Sequence, residues 1–158
     1  MATVSIQVVM AQLLAVLREA FEGPKESWSY FTDSGPEAGF FGKVERLGAA
    51  NASQQVGGAS IAAHAHHVAF ALEASSAWIK GDRSHRNWAE SWSVQAVDNV
   101  GWARLLERLR AGYGDLRRAI KEHALSSEEA AGGAIAALAH TAYHLGAIQQ
   151  KTTFAAMQ

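Results

Sequence analysis

The chain has no cysteine, and this absence excludes several kinds of chemistry. Without thiols there are no disulfides, no thiolate metal ligands and no cysteine nucleophile. Charge is also scarce: charged residues make up 18% of the sequence, hydrophobic residues make up 49%, and the formal net charge is -1. This composition supplies no basic surface for nucleic acid or for an anionic membrane. We therefore expect a globular protein that binds neither.

Two long stretches, residues 47–72 and 131–150, contain no Asp, Glu, Lys or Arg. Both are rich in alanine and glycine and are interrupted by His, Asn or Gln, so burial within a helical protein is more favourable than membrane insertion. The N-terminal residues show neither the basic segment nor the small-residue cleavage site of a signal peptide. A cytoplasmic location is therefore expected.

Helical periodicity predicts four helices, and no segment alternates as a β-strand would. Serine caps are expected to begin the second helix at Ser60 and the fourth at Ser126 or Ser127. The predicted helices cover about residues 3–22, 60–80, 93–123 and 126–153. The expected fold class is all-α: a four-helix bundle in one domain, residues 1–158, with a long irregular connection between helices 1 and 2.

That connection, residues 23–58, is aromatic and irregular, and only the segment GKVERLGAA suggests a short helix within it. Connections of this length more often line a site or an interface than remain idle. We therefore expect its aromatic side chains to line a pocket. They are Trp28, Tyr30, Phe31, Phe40 and Phe41.

Five of the seven histidines lie on the two uncharged predicted helices. His140 and His144 are four residues apart, so they share one helix face and can bridge one ion. The same spacing also suits core histidines that hydrogen-bond to carbonyl groups. The second cluster, HAHH, favours a metal, because a catalytic zinc-type site commonly has three protein ligands and one open position.

The residue of HAHH that completes such a site is not decided by periodicity. His64 lies nearer than His67 to the apolar stripe of its helix, so the helical wheel slightly favours His64. His66 points elsewhere, and we expect it to face solvent or to support a ligand. Conceivable fourth ligands are Glu73, Asp33 and Glu37.

The segments SIAAHAHHVAFALEA and AHTAYHLGAIQQ, with the helix from Trp102 to Tyr113 between them, resemble the DinB/YfiT-like superfamily of metal-dependent four-helix-bundle proteins. The similarity in element order covers nearly the whole chain. In that superfamily a histidine before an aliphatic residue joins a His-x-x-x-His pair to bind zinc or nickel. The resemblance therefore implies the ligands His67, His140 and His144, with His64 as the alternate.

Position 149 departs from the superfamily pattern. Relatives with the YHLGAI ending often have arginine where this chain has Gln149, which suggests a different substrate preference.

Competing metal motifs do not fit. Thr141 stands where a zincin has its glutamate, and no histidine has the glutamate three residues earlier that di-iron bundles require. A three-histidine metal can lower the pKa of bound water or hold an external thiol as thiolate.

Characterised relatives include thiol-dependent transferases and isomerases, so the resemblance implies transfer of a low-molecular-weight thiol to a small electrophile. Tyr143 is the candidate catalytic hydrogen-bond donor, although an ordinary packed tyrosine fits its position equally well. Two alternatives are a metal-dependent hydrolase of small electrophiles and a non-catalytic, stress-related dimeric metal-binding bundle. Trp28, Trp88 and Trp92 would anchor the interface in the non-catalytic dimer. A homodimer is expected in each case.

Overall fold

The computed structural model describes residues 3–35 and 37–155, and within these ranges it contains helices and no strand. The expected all-α class is therefore confirmed. The predicted domain range of residues 1–158 extends beyond the described residues at both ends and stays a prediction. The helices are α1 (Ile6–Glu22), α2 (Phe40–Val44), α3 (Ala49–Ala52), α4 (Ile61–Ile79), α5 (Asn99–His123) and α6 (Glu128–Ala155), with a 3-10 turn at Trp88–Trp92.

Side-chain caps begin all four long helices, and those of α4 and α6 are the expected serines. The Ser60 hydroxyl accepts the backbone N–H of Ala63 at 3.0 Å, and the Ser127 hydroxyl caps α6 in the same way. Asp98 caps α5 at 2.7 Å, so this helix begins later than residue 93, where the sequence predicted it. The difference arises because the residues before Asp98 form the 3-10 turn and an extended segment.

The long connection between α1 and α4 is anchored to the core. Glu19 is buried, and its carboxylate accepts the backbone N–H groups of Tyr30, Phe31 and Thr32 at 2.9 to 3.1 Å. Such bonds satisfy backbone donors that lie outside regular structure. The predicted short helix is present as two pieces, α2 and α3, and both aromatic residues of α2 are buried.

The four long helices pack around one core. α4 packs against α5 and α6, α1 packs against α6 and α5, and α5 also contacts α6. Alanines on α4, among them Ala65 and Ala69, are fully buried and let the neighbouring helices approach closely. The contact between α4 and α6 brings the HAHH segment beside His140 and His144. Among the described residues, no helix combines the length and hydropathy needed to cross a bilayer.

Candidate metal centre

His67 of α4 and His140 and His144 of α6 form one cluster, in which one ring nitrogen from each lies within 4.8 Å of the others. The Nε2 atom of His140 is 3.0 Å from Nε2 of His67 and 3.2 Å from Nε2 of His144. Zinc–nitrogen bonds of about 2.0–2.1 Å in a tetrahedral site place nitrogens about 3.3–3.4 Å apart, so the observed separations are within a few tenths of an ångström. The three histidines could hold a metal ion.

The lowered pKa values of the three histidines favour the binding of a cation. Burial, followed by the neighbouring histidines, lowers the pKa of His67 to about 4 and that of His144 to about 3. Burial also lowers the pKa of His140. The three rings are therefore neutral at pH 7, as metal ligation requires.

The 3-10 turn between α4 and α5 fixes the ring of His67. The Ser91 hydroxyl donates its single proton to the carbonyl of Trp88 at 2.6 Å. Nδ1 of His67 lies 2.7 Å from the hydroxyl oxygen of Ser91. Nδ1 must therefore be the donor, which leaves a lone pair on Nε2 within the cluster. Trp92 stacks on the imidazole, with ring centroids 4.2 Å apart and an angle of 19° between planes. Turn residues thus set both the tautomer and the orientation of His67.

His64 supports the opposite side of the cluster. Its Nδ1 lies 2.9 Å from Nδ1 of His144, so one of the two rings donates a proton to the other. If Nε2 of His144 binds an ion, its Nδ1 carries the proton and His64 accepts it. The three-nitrogen cluster thus contains His67, and the alternate His64 adjoins it through His144.

His66 also contacts the 3-10 turn. Its Nδ1 is 2.9 Å from the carbonyl oxygen of Ser91, whose hydroxyl positions His67. His66 is half-buried and forms its hydrogen bond with the backbone of the turn and not with a proposed ligand, so its expected role, in solvent or behind a ligand, stays a prediction.

Tyr143 lies at the exposed edge of the cluster. Its side chain is 72% exposed, and its ring meets that of His144 edge-on at 5.0 Å. It does not line the cavity described below. The role of Tyr143 as a catalytic hydrogen-bond donor therefore stays a prediction.

The conceivable fourth ligands are held elsewhere. Glu73 forms an ion pair with Arg108 at 2.6 Å, and Glu37 is paired with Arg46. Asp33 accepts a hydrogen bond from Gln149 at 3.1 Å. No carboxylate of the described residues joins the three histidines. Gln149 therefore faces the long connection, and it lines no part of the cavity beside the cluster.

A cavity of about 750 Å³ lies between α4, α6 and the segment that follows α4, and it reaches the cluster at His140. Its aromatic walls are Trp78 and Trp88. None of the expected aromatic residues of the long connection lines this cavity; Trp28 and Tyr30 instead line a separate, smaller cavity of about 160 Å³ beside α1. Phe40 and Phe41 pack in the core, because α2 is pressed against Phe21 of α1.

The chain matches no protein-family model, no curated protein and no solved structure in the comparisons with known proteins. The resemblance to the DinB/YfiT-like superfamily therefore rests on sequence motifs and element order. The histidine cluster and the cavity beside it are the features of the molecule that indicate a function.

Proposed function

We propose that His67, His140 and His144 bind one divalent ion, zinc or nickel, in a metal-dependent enzyme of the DinB/YfiT-like kind. The observation that carries this proposal is the convergence of three Nε2 atoms from two helices. Because Nδ1 of His67 is protonated, its Nε2 has a lone pair that can accept only from His140. The single proton on Nε2 of His140 cannot also satisfy His144. A cation at this point satisfies all three nitrogens.

The helix packing supports a four-helix bundle as the scaffold. Contacts run from α1 to α6, from α6 to α4, from α4 to α5 and from α5 back to α1, and α5 also contacts α6 across the middle. In such bundles, metal sites are built from side chains on facing helices. The pair α4 and α6 supplies all three proposed ligands.

The proposed reaction is transfer of a low-molecular-weight thiol to a small electrophile. A bound zinc or nickel ion supplies positive charge that stabilises a thiolate at neutral pH. Since the chain has no cysteine, the thiol comes from a second molecule. The three histidines orient the ion, Trp92 covers one face of His67, and the cavity admits the electrophile beside His140.

Metal-dependent hydrolysis is the second candidate. It gains no support from a general base, because no described carboxylate joins the cluster. Transfer of a thiol needs no such base once the thiol is held as thiolate. A thiol, with an ordinary pKa of about 8.5, is deprotonated by a bound ion more readily than water, with about 15.7, and this favours transfer.

A homodimer and a cytoplasmic location remain predictions from the sequence, as does the non-catalytic alternative. Exposed apolar side chains at the start of α1 support the dimer: Val4 is 68%, Ile6 52% and Val9 49% exposed. Contiguous exposed apolar surface of this kind marks interaction sites on many proteins.

The thiol role is tested with Co²⁺-loaded protein and 2-mercaptoethanol. Because the chain has no cysteine, any thiolate-to-cobalt absorption band in the near ultraviolet must come from the added thiol. We expect this band in the wild type and in His123→Ala, which removes a partly exposed histidine far from the cluster in sequence, and we expect no band in His144→Ala. A cobalt-loaded wild type that shows no band at saturating thiol contradicts the transferase proposal.

A further inference from the structure

We propose that the cavity beside His140 is a binding site for a small monocarboxylate with an aromatic or apolar body, and that Arg83 binds its carboxylate. The binding site stands on its own geometry. Its use for the substrate of the reaction rests on the proposed function.

Among the described residues, Arg83 is the arginine of this cavity that forms no ion pair; Glu129, whose pKa is lowered by hydrogen bonds at the start of α6 and to a smaller extent by the charge of Arg83, lies farther off. No carboxylate oxygen in residues 3–35 and 37–155 forms an ion pair with it, whereas the neighbouring Arg86 is paired with Asp82 at 2.8 Å. Nη1 of Arg83 donates to the carbonyl of Trp78 at 2.6 Å, and the guanidinium lies 3.9 Å from the Trp78 ring centroid. A guanidinium held in this way keeps further N–H donors for a carboxylate, which it can bind through two bonds.

Trp78 is fixed from several sides and provides an apolar surface in the cavity. Its indole Nε1 donates to the carbonyl of Glu129 at 3.2 Å. A Cβ at Gly133 would lie 2.9 Å from Cδ1 of Trp78, so glycine at this position lets the ring rest on α6. With Trp88 also lining the cavity, and with alanine and glycine along its wall, the space fits a flat apolar group.

The dimensions and charge of the cavity limit the ligand further. Gly133 precedes His140 by two helical turns, which is about 10 Å along α6. A ligand that contacts Trp78 and also reaches the histidine cluster therefore extends over roughly that distance. Glu129 lines the same cavity and would repel a dianion such as a phosphate monoester, which favours a singly charged carboxylate.

The test compares two probes of nearly equal shape, 1-naphthylacetate and its neutral amide, by calorimetric titration of the full chain after metal removal. We expect the wild type to bind the carboxylate about tenfold more tightly than the amide, as a charge-assisted hydrogen bond provides. Arg83→Gln should bind the two probes equally, while Arg104→Gln, at an exposed site outside the cavity, should keep the difference.

A second pair of variants tests the apolar part of the site. Gly133→Ala should displace Trp78 and lower the affinity for both probes at least fivefold. A Cβ at Gly146, on the same helix, would have no atom within 4 Å, so Gly146→Ala should bind both probes as the wild type does. The proposal is overturned if neither probe binds at millimolar concentration, if the wild type does not discriminate, or if discrimination persists in Arg83→Gln. Because metal-free protein is used, failure of the metal site leaves these results unchanged.

Discussion

The interface between α4 and α6 has two halves with opposite character. Around His67 and His144 the side chains are buried, and both rings have hydrogen-bond partners behind them. Two turns away, around Trp78 and Gly133, the interface opens into a cavity with an arginine that forms no ion pair with the described residues. The half around His67 and His144, called the closed half below, has the features needed to fix an ion. The half around Trp78 and Gly133, called the open half, has those needed to admit a ligand. The same pair of helices thus combines rigidity and access.

The largest expected effect comes from removing the ion from the closed half. A metal that is present at about 1000 times its dissociation constant stabilises the fold by roughly 4 kcal/mol. For a domain of this size, chelation should therefore lower the melting temperature by roughly 10 °C. Scanning calorimetry with and without chelator measures this shift. His123→Ala should behave as the wild type does, and a chelator-sensitive melting temperature in His144→Ala would contradict the assignment.

A smaller effect should follow from loosening the support behind one ligand. Ser91→Ala removes the oxygen that accepts from Nδ1 of His67, so the tautomer and ring orientation are no longer fixed. Loss of such a support typically lowers metal affinity about 10- to 100-fold. Competition with a chromophoric zinc chelator measures the change.

Ser93→Ala is the matched control for this variant. The Ser93 hydroxyl bonds to a backbone carbonyl in the same turn region but makes no contact with a histidine. We expect its zinc affinity to equal that of the wild type. Equal affinities for Ser91→Ala and Ser93→Ala would show that the turn does not position His67.

A moderate effect is expected from acid on the metal-free protein. Burial lowers the pKa of His64 and His67 to about 4 and that of His144 to about 3. Below pH 6.5 the unfolded chain binds protons at these positions and the folded chain does not. The free energy of unfolding therefore decreases as the pH is lowered, until the pKa values of the folded state are reached. Carboxylates remain largely ionised down to pH 5.

The melting temperature of metal-free protein should therefore fall by several degrees between pH 6.5 and 5, as calorimetry at fixed ionic strength will show. A melting temperature that stays constant over this interval would mean that the histidines are not buried in their neutral form. Metal-loaded protein should resist the same change, because the ion holds the rings deprotonated.

The smallest effect is expected at Tyr143, whose ring meets that of His144 but whose side chain is largely in solvent. Tyr143→Phe removes a hydroxyl from a side chain that is 72% exposed. We expect less than a twofold change in the affinity of cobalt-loaded protein for 2-mercaptoethanol, measured by absorption titration. A loss of tenfold or more would restore the role suggested by its position beside His144.

Much of the closed half could be predicted from the sequence. Apolar periodicity and capping serines located the long helices, and the four-residue spacing of His140 and His144 placed both rings on one face. The choice between His64 and His67 could not be made from periodicity, because both are buried on α4, at 8% and 7% exposure. Only the distances between ring nitrogens separate a member of the cluster from its support.

The open half was not predicted, because it depends on contacts between distant segments. The position of Trp78 against α6 requires the absence of a side chain at Gly133, and such a contact leaves no periodic pattern in the sequence. The 3-10 turn that places the Ser91 hydroxyl beside Nδ1 of His67 likewise leaves no periodic pattern in the sequence. A tryptophan, a glycine and a serine in these places are ordinary residues until the tertiary structure brings them to the site.

The most direct test of the central claim is the metal content of protein purified without an affinity tag. Elemental analysis should find about one zinc or nickel ion per chain in the wild type and in His123→Ala, and almost none in His144→Ala, with circular dichroism showing that all three are folded. A folded wild type that contains no metal and takes up none on addition of zinc or nickel would contradict the account.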